Sequence, residues 1–203
     1  MSSQPRLKRG VTPPPRERIL QAARELFYRD GIKAVSVELV ASAAGTNKMT
    51  LYRHFSSKDE LVAAYLSTLA QEGEGLWDQA SAAHPGDADA QLHYMLKRAC
   101  EFAAEGSGRG CALANAAVEL AEPRHPARRV IEAHKRRQRE RLVALVRAAG
   151  YARPEQIADE LFLLVEGARV TLQSVGREGP GKRVYALAER LLASTPRRKG
   201  VKG

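Results

Sequence analysis

Within residues 36–61 three helix starts follow one another at short range, at Ser36, Asn47 and Ser57, with Gly45 between the first two. Serine and asparagine at such positions accept a hydrogen bond from a backbone N–H two or three residues on, which fixes where each helix begins. Val37, Val40, Ala41 and Ala44 recur at helical spacing, so the first short helix has one apolar face. Ala41 and Ala44 are small enough to let a second helix approach closely. Gly45 adopts positive φ at little cost and ends that helix. Lys48 to His54 then form a second short helix, pinned to a core by Leu51 and Phe55, which are i,i+4 partners. Two short helices, a glycine between them and a capped third make the layout of a helix-turn-helix DNA reader, whose second helix enters the major groove.

The residues left facing outward suit that role. Lys48 can donate to guanine, and Met49 and the Thr50 methyl can touch a thymine methyl. Thr50, Tyr52, Arg53 and His54 can donate to phosphate oxygens, which sets register without reading sequence. Lys58, in the first turn after Ser57, adds a phosphate contact where the helix N–H groups also favour anions. With Ser36 and Asn47 at the two helix starts, these residues form the expected DNA-facing set. The competing reading is a small helical hairpin with solvated charges. Caps, glycine, small residues and donors agree against it.

Residues 16–66 resemble the DNA-binding domain of TetR-type transcriptional regulators. The matching residues are Ala22-Ala23-Arg24-Glu25-Leu26-Phe27, Gly31, Ser36, Val40-Ala41, Ala44-Gly45, Thr50-Leu51-Tyr52-Arg53-His54-Phe55 and Lys58-Asp59-Glu60-Leu61. The chain departs from the pattern at Thr46, where the family usually has a branched apolar residue, and at Met49, often glycine. Met49 puts a bulky side chain where bases are met, so an operator sequence does not carry over from relatives.

Composition adds a bias toward a polyanionic partner. The 203-residue chain has a formal net charge of +10. Residues 1–60 carry eleven Lys/Arg against six Asp/Glu, a net of +5, and residues 124–153 carry ten against two, a net of +8. Solubility alone is the competing explanation of that charge. The basic run His134–Arg141 reads as a solvated helix face, with extended DNA contact or attraction of an anionic ligand as the alternatives. Cys100 and Cys111 are the chain's two cysteines, too few for a disulfide scaffold. No apolar run is long enough to span a bilayer, and the basic N-terminus is not followed by an apolar stretch, so neither membrane nor signal peptide is expected. The default is a cytoplasmic protein.

Along the chain, the periodicity predicts an all-α fold of nine helices: an N-terminal three-helix helix-turn-helix head and a C-terminal six-helix ligand-binding and dimerisation body. Residues 1–15 read as a flexible basic arm, in which Arg6, Lys8 and Arg9 can reach a minor groove. Residues 16–56 form the DNA-binding domain, 57–195 the ligand-binding and dimerisation domain, and 196–203 a basic tail. A long helix is expected from Ser57 to about Ala82, with Gly73 and Gly75 weakening its far end. Further helices cover residues 88–104, 113–120, 127–149, 154–175 and 183–193. Gly106–Gly110 is a loop without the ending of a phosphate-binding P-loop.

A head of this size works as a dimer, reading two half-sites about one DNA turn (roughly 34 Å) apart or a multiple of it. The expected interface is Leu161, Val165, Ala168, Leu172 and Val175 on one helix with Val184, Leu187 and Leu191 on the next. The resemblance implies that the helices between residues 57 and 175 surround an inducer pocket. Its expected lining is Tyr94, Phe102, Cys111, Asn115, His134, Gln138, Phe162, Glu166 and Arg169, a mixed surface for a small molecule with an apolar body. Three partners follow: a double-stranded DNA operator, a second copy of the chain and a small-molecule effector. No cofactor and no metal are expected, because the histidines show no ligand-type pairing and the cysteines are not paired. No catalytic residues are expected, because no dyad is visible either. Two alternatives remain on the same scaffold. Cys111, near a helix start and near Arg109, can serve a redox or electrophile sensor. A nonspecific basic DNA-binding module is the other.

Overall fold

The computed structural model describes residues 13–105, 109–176 and 178–198, without the side chains of residues 102–105. The expected minor-groove residues Arg6, Lys8 and Arg9, the centre of the Gly106–Gly110 loop, the side chain of Phe102 and most of the basic tail lie outside the described residues. The described chain forms α1 (Pro15–Asp30), α2 (Val37–Ala43), α3 (Lys48–His54), α4 (Lys58–Ala83), α5 (Ala88–Glu105), α6 (Ala112–Glu119), α7 (Pro126–Ala148), α8 (Pro154–Val175) and α9 (Val184–Ser194). A 3-10 turn, Pro180–Arg183, precedes α9 and was not anticipated. Apart from one isolated bridge between Tyr151 and Arg197, the described residues hold no strand pairing. None of their helices is long and apolar enough to cross a membrane.

The three expected caps are formed. The Ser36 hydroxyl accepts from Leu39 N at 3.1 Å, the Asn47 Oδ1 from Thr50 N at 2.9 Å, and the Ser57 hydroxyl from Glu60 N at 3.1 Å. Gly45 sits at φ +63°, and the next residue closes the end of α2 by donating from Thr46 N to the Ala41 carbonyl at 2.9 Å. That is the left-handed helix stop that glycine takes without a Cβ penalty.

The apolar side chains gather in two clusters. One combines α1–α3, the first half of α4, α6 and the start of α7, with Ile19, Val40, Leu51, Phe55, Leu61, Leu66, Ala116 and Ala127 among its buried members. The other combines α5, the far half of α7, α8 and α9 around Leu92, Val146, Tyr151, Ile157 and Leu161. The first cluster therefore crosses from head to body, so α6 and the start of α7 are packed directly on the unit formed by α1–α3.

Gly73 and Gly75 do not break α4, which runs unbroken to Ala83. Gly73 has a packing purpose: a Cβ there would stand 3.2 Å from His134 Cε1. The missing side chain admits the imidazole of α7 against α4, and that close approach compensates for the weak helix propensity of glycine.

Candidate nucleic-acid interface and effector cavity

The second helix of the head is amphipathic in the required sense. Leu51 and Phe55 are buried, and the Arg16 guanidinium lies 5.2 Å from the centre of the Phe55 ring. On the opposite side Lys48, Met49, Tyr52, Arg53 and His54 are exposed, with Met49 at 76%. Thr50 and Lys58 are half-buried. Burial and nothing else holds the Lys58 ammonium below the usual lysine range, against the opposing pull of Asp59 and Glu119. Ser36 and Asn47 are exposed and use their side-chain oxygens on the caps just described.

One contact on this face was not foreseen. Lys48 Nζ lies 2.6 Å from Glu38 Oε1 of α2 and 5.9 Å from the centre of the Tyr52 ring. The hydrogen bond from Lys48 holds the Glu38 carboxyl below its usual range and raises the lysine. The residue expected to read guanine is thus occupied by a carboxylate in the free protein. No sequence rule gives this pair, because it depends on the crossing of α2 and α3.

Head and body are joined by a row of polar contacts around α6. Glu119 Oε2, at the end of α6, accepts from Ile32 N at 2.7 Å and Lys33 N at 3.1 Å in the turn between α1 and α2. Gly31 in that turn has φ +89°, and a Cβ there would stand 3.2 Å from both Glu119 carboxylate oxygens. The Tyr28 hydroxyl donates to the Gly110 carbonyl at 3.2 Å. His125 caps α7 by accepting from Ala127 N at 3.1 Å through Nδ1, which leaves Nε2 as the donor toward Asp59 Oδ1 at 3.3 Å. Glu119, His125 and the approach of Gly31 to Glu119 were missed by sequence reasoning, since each joins segments distant along the chain.

The body contains a cavity of about 390 Å³ between α4, α5, α6, α7 and α8. A smaller space of about 90 Å³ adjoins it, and Gly73, Leu76, Ala99, Gln138 and Arg169 line both. The anticipated Cys111, His134, Gln138 and Arg169 line the larger space, and Phe162 and Glu166 the smaller one. Tyr94 and Asn115 do not. Tyr94 packs edge-on against His84 at the α4–α5 turn, with ring centres 5.8 Å apart, and the Asn115 amide donates to the Arg109 carbonyl. In both cases a nearby turn captures the side chain and aims it away from the cavity.

The lining includes charge that the sequence reading placed in solvent. Lys135 is half-buried and donates to Glu166 at 2.8 Å, and Arg169 donates to the same carboxylate at 2.7 Å. Arg141 pairs with Glu74 and lies over the Trp77 ring, 5.2 Å from its centre, while Arg139 forms a bidentate pair with Asp159. Lys135 and Arg141 are therefore drawn half into the body, where the solvated-face reading fails, while Arg136, Arg137 and Arg139 stay exposed as that reading expects. His134 is buried, and burial, assisted by Lys135, pushes its pKa below the usual histidine value. Cys111 is half-buried at the start of α6. Burial pushes the Cys100 thiol up to about 11.

The expected dimer residues fall on two different sides. Leu161, Ala168, Leu172 and Val184 are buried within the protomer, and Val165 packs against its second cluster. Leu161 and Leu172 are core residues and cannot form a surface. The apolar side chains of α8 and α9 left outside are Leu163 at 69%, Val170 at 61%, Val175 and Leu187. A groove of about 600 Å³ runs between the two helices, lined by Leu163, Leu164, Gly167, Leu187 and Leu191 with Ala168 and Val184 at its floor. The exposed apolar row is thus displaced from the expected one, because α8 is apolar on two faces and the protomer core takes one of them.

Residues 19–65 match the sequence profile of bacterial regulatory proteins of the tetR family. The transcriptional regulator UidR of Escherichia coli is 40% identical over 53 residues, 26% of this chain and 27% of UidR. An HTH-type transcriptional repressor of Mycobacterium tuberculosis is 38% identical over 73 residues, 34% of this chain and 39% of that protein. The chain thus spans only about a quarter to two fifths of the length of these curated relatives. Solved structures extend the likeness to the body. A TetR-family transcriptional regulator from Streptomyces coelicolor superposes with a TM-score of 0.78 at 28% identity, covering 88% of this chain and 94% of that one. The reduced form of Escherichia coli NemR shares the fold with a TM-score of 0.76 at 16% identity, covering 92% of this chain and 100% of its own.

Proposed function

The chain belongs to the TetR family of bacterial regulatory proteins, with a helix-turn-helix DNA-binding head, and from that premise we propose that it is a dimeric transcriptional repressor released from a palindromic operator by a small molecule. The observation that carries the reading is the amphipathic α3: Leu51 and Phe55 face the core while Lys48, Met49, Tyr52, Arg53 and His54 stand exposed on one side of the head. Ser36, Asn47, Thr50 and Lys58 complete the DNA-facing set. Arg53, Tyr52 and His54 bind phosphate, and Lys48 exchanges Glu38 for a base edge when DNA arrives.

The second copy docks on the outer row of α8 and α9, where Leu163, Val170, Val175 and Leu187 leave a long apolar strip in water. The effector occupies the cavity between α4 and α8. Release then requires two arrangements of the body that differ in affinity for the effector. A coupling of about 1–3 kcal/mol would change operator affinity roughly 5- to 150-fold. The contacts of Glu119, Tyr28 and His125 with head and body are the physical link through which a change at the cavity wall reaches the head.

The test is fluorescence anisotropy against the DNA upstream of the chain's own gene, with unrelated competitor, across a salt series. The reading requires saturable preference for one imperfect palindrome at two chains or more per site. A steep salt dependence without sequence preference, repeated on DNA selected from a random pool, would leave only a nonspecific basic module.

A further inference from the structure

The cavity between α4 and α8 is largely apolar, with its cations gathered on one side. Leu69, Leu76 and Leu113 line the larger space, and Trp77, Phe162 and Val165 the smaller one. The charged side chains lining the two spaces are Glu72, Lys135, Glu166 and Arg169, with Arg24, Glu74 and Arg141 outside that lining. Glu72 is taken by Arg24, on the head side, and Glu74 by Arg141. Glu166 alone serves both Lys135, at 2.8 Å, and Arg169, at 2.7 Å. Among the described residues one positive charge is then left over, on the Lys135–Arg169 side of the cavity wall.

Arg169 lines both spaces and, among the described residues, donates to Glu166 alone, so most of its five N–H donors stay open. His134 is buried against Gly73 beside it, and the nearest carboxylate oxygen to its Nδ1 is Glu74 Oε1, at 3.8 Å. A neutral apolar guest would leave the excess cation and the open guanidinium edge without a counter-charge in a partly buried site, which is costly. A cationic guest would add like charge. A carboxylate on an apolar stem satisfies both requirements, because the guanidinium fork receives two carboxylate oxygens in parallel.

We propose that the cavity takes an apolar monocarboxylate, with its chain among the leucines and Phe162 and its carboxylate on Arg169 beside Lys135. This rests on the reading of the cavity as the effector site. Glu166 sets the strength of the site by competing with the guest for both cations.

The test uses the full chain and three guests of equal length: octanoate, octan-1-ol and octylammonium. Trp77 is the chain's one tryptophan and lines the cavity, so its fluorescence reports occupancy, and calorimetry gives the affinities. Octanoate should bind about tenfold more tightly than octan-1-ol, the scale of one charge-assisted bond, and octylammonium most weakly. Arg169→Met should bring octanoate and octan-1-ol to within about twofold of each other. Glu166→Gln should do the reverse and tighten octanoate several-fold, an outcome that misfolding does not produce. Equal binding of all three guests, a preference for octylammonium, or no binding at all would overturn the proposal. Specific operator binding by the same preparation would then still support the regulator reading, while octanoate binding by a protein without any DNA preference would remove that reading alone.

Discussion

Replacing Glu119 by alanine should detach the α1–α2 turn of the head from α6. The carboxylate accepts from Ile32 N at 2.7 Å in a part-buried position and from Lys33 N at 3.1 Å at the surface. A hydrogen bond to a charged group contributes about 1.5–3 kcal/mol net, and an exposed one falls at or below the low end of that range. The pair is therefore worth about 2–4 kcal/mol of local stability, taking the first at full value and discounting the second for solvent. At about 1.4 kcal/mol per factor of ten, opening of the Ile32 amide should become roughly 30- to 700-fold more frequent in Glu119→Ala. Native-state hydrogen exchange followed by NMR measures this directly, and Glu119→Gln, which keeps an acceptor oxygen, should fall between the two. Unchanged exchange at Ile32 and Lys33 in the alanine variant would refute the strap. A uniform rise through α8 and α9 would refute it too, because global loosening would then be the cause. Gly31→Ala attacks the same contact from the other side, placing a Cβ 3.2 Å from both Glu119 oxygens at a φ of +89°, and should speed exchange at the same two amides.

Four further outcomes follow. Lys48→Ala should relax preference among operator sequences, whereas Arg53→Ala should weaken binding to all DNA about equally and reduce the salt slope; competition titrations on a set of single-base operator variants separate them. Glu38→Gln should raise DNA affinity at low salt, since Lys48 no longer leaves a carboxylate to reach DNA, and a fall in affinity would show that Glu38 positions the lysine rather than masking it. Leu163→Asp should shift the sedimentation coefficient to that of a single chain and remove operator binding, while Leu161→Ala, in the core, should lower Tm by an amount set by a cavity cost of about 2–5 kcal/mol without that shift. At pH 8 the Cys100 thiol, raised to about 11 by burial, should be about two orders of magnitude poorer in thiolate than a free cysteine and should be modified correspondingly slowly by iodoacetamide, with the rate climbing as pH rises toward 11.

The head was legible because its determinants are local. Ser36, Asn47, Ser57 and Gly45 each act on backbone groups within a few residues, and each forms the bond that its chemistry dictates. The apolar partners Leu51 and Phe55 are also close in sequence and both are buried. What escaped on this face was the Lys48–Glu38 pair, which needs the angle between two helices. The 3-10 turn before α9 escaped for a related reason: Pro180 marks a boundary, but the tight turn is set by packing, and a Cβ on Gly181 would stand 2.7 Å from the Leu172 side chain.

The body was legible as helices and only partly as surfaces. Periodicity shows that α8 carries apolar residues, yet Leu161, Ala168 and Leu172 on one side and Leu163 and Val170 on the other are both valid rows. Which row meets water depends on where α5, α7 and α9 lie, and no local rule supplies that. Charge behaves the same way. Lys135 and Arg141 belong to a run that looks solvated when read alone, but their carboxylates, Glu166 and Glu74, stand 31 and 67 residues away. Those pairings draw cations inward and, among the described residues, leave Glu166 shared between Lys135 and Arg169. The proposed preference of the cavity for an anion is therefore a property of the packed body, in which Lys135, assigned to the outside by the linear pattern, joins the anticipated pocket residues Glu166 and Arg169.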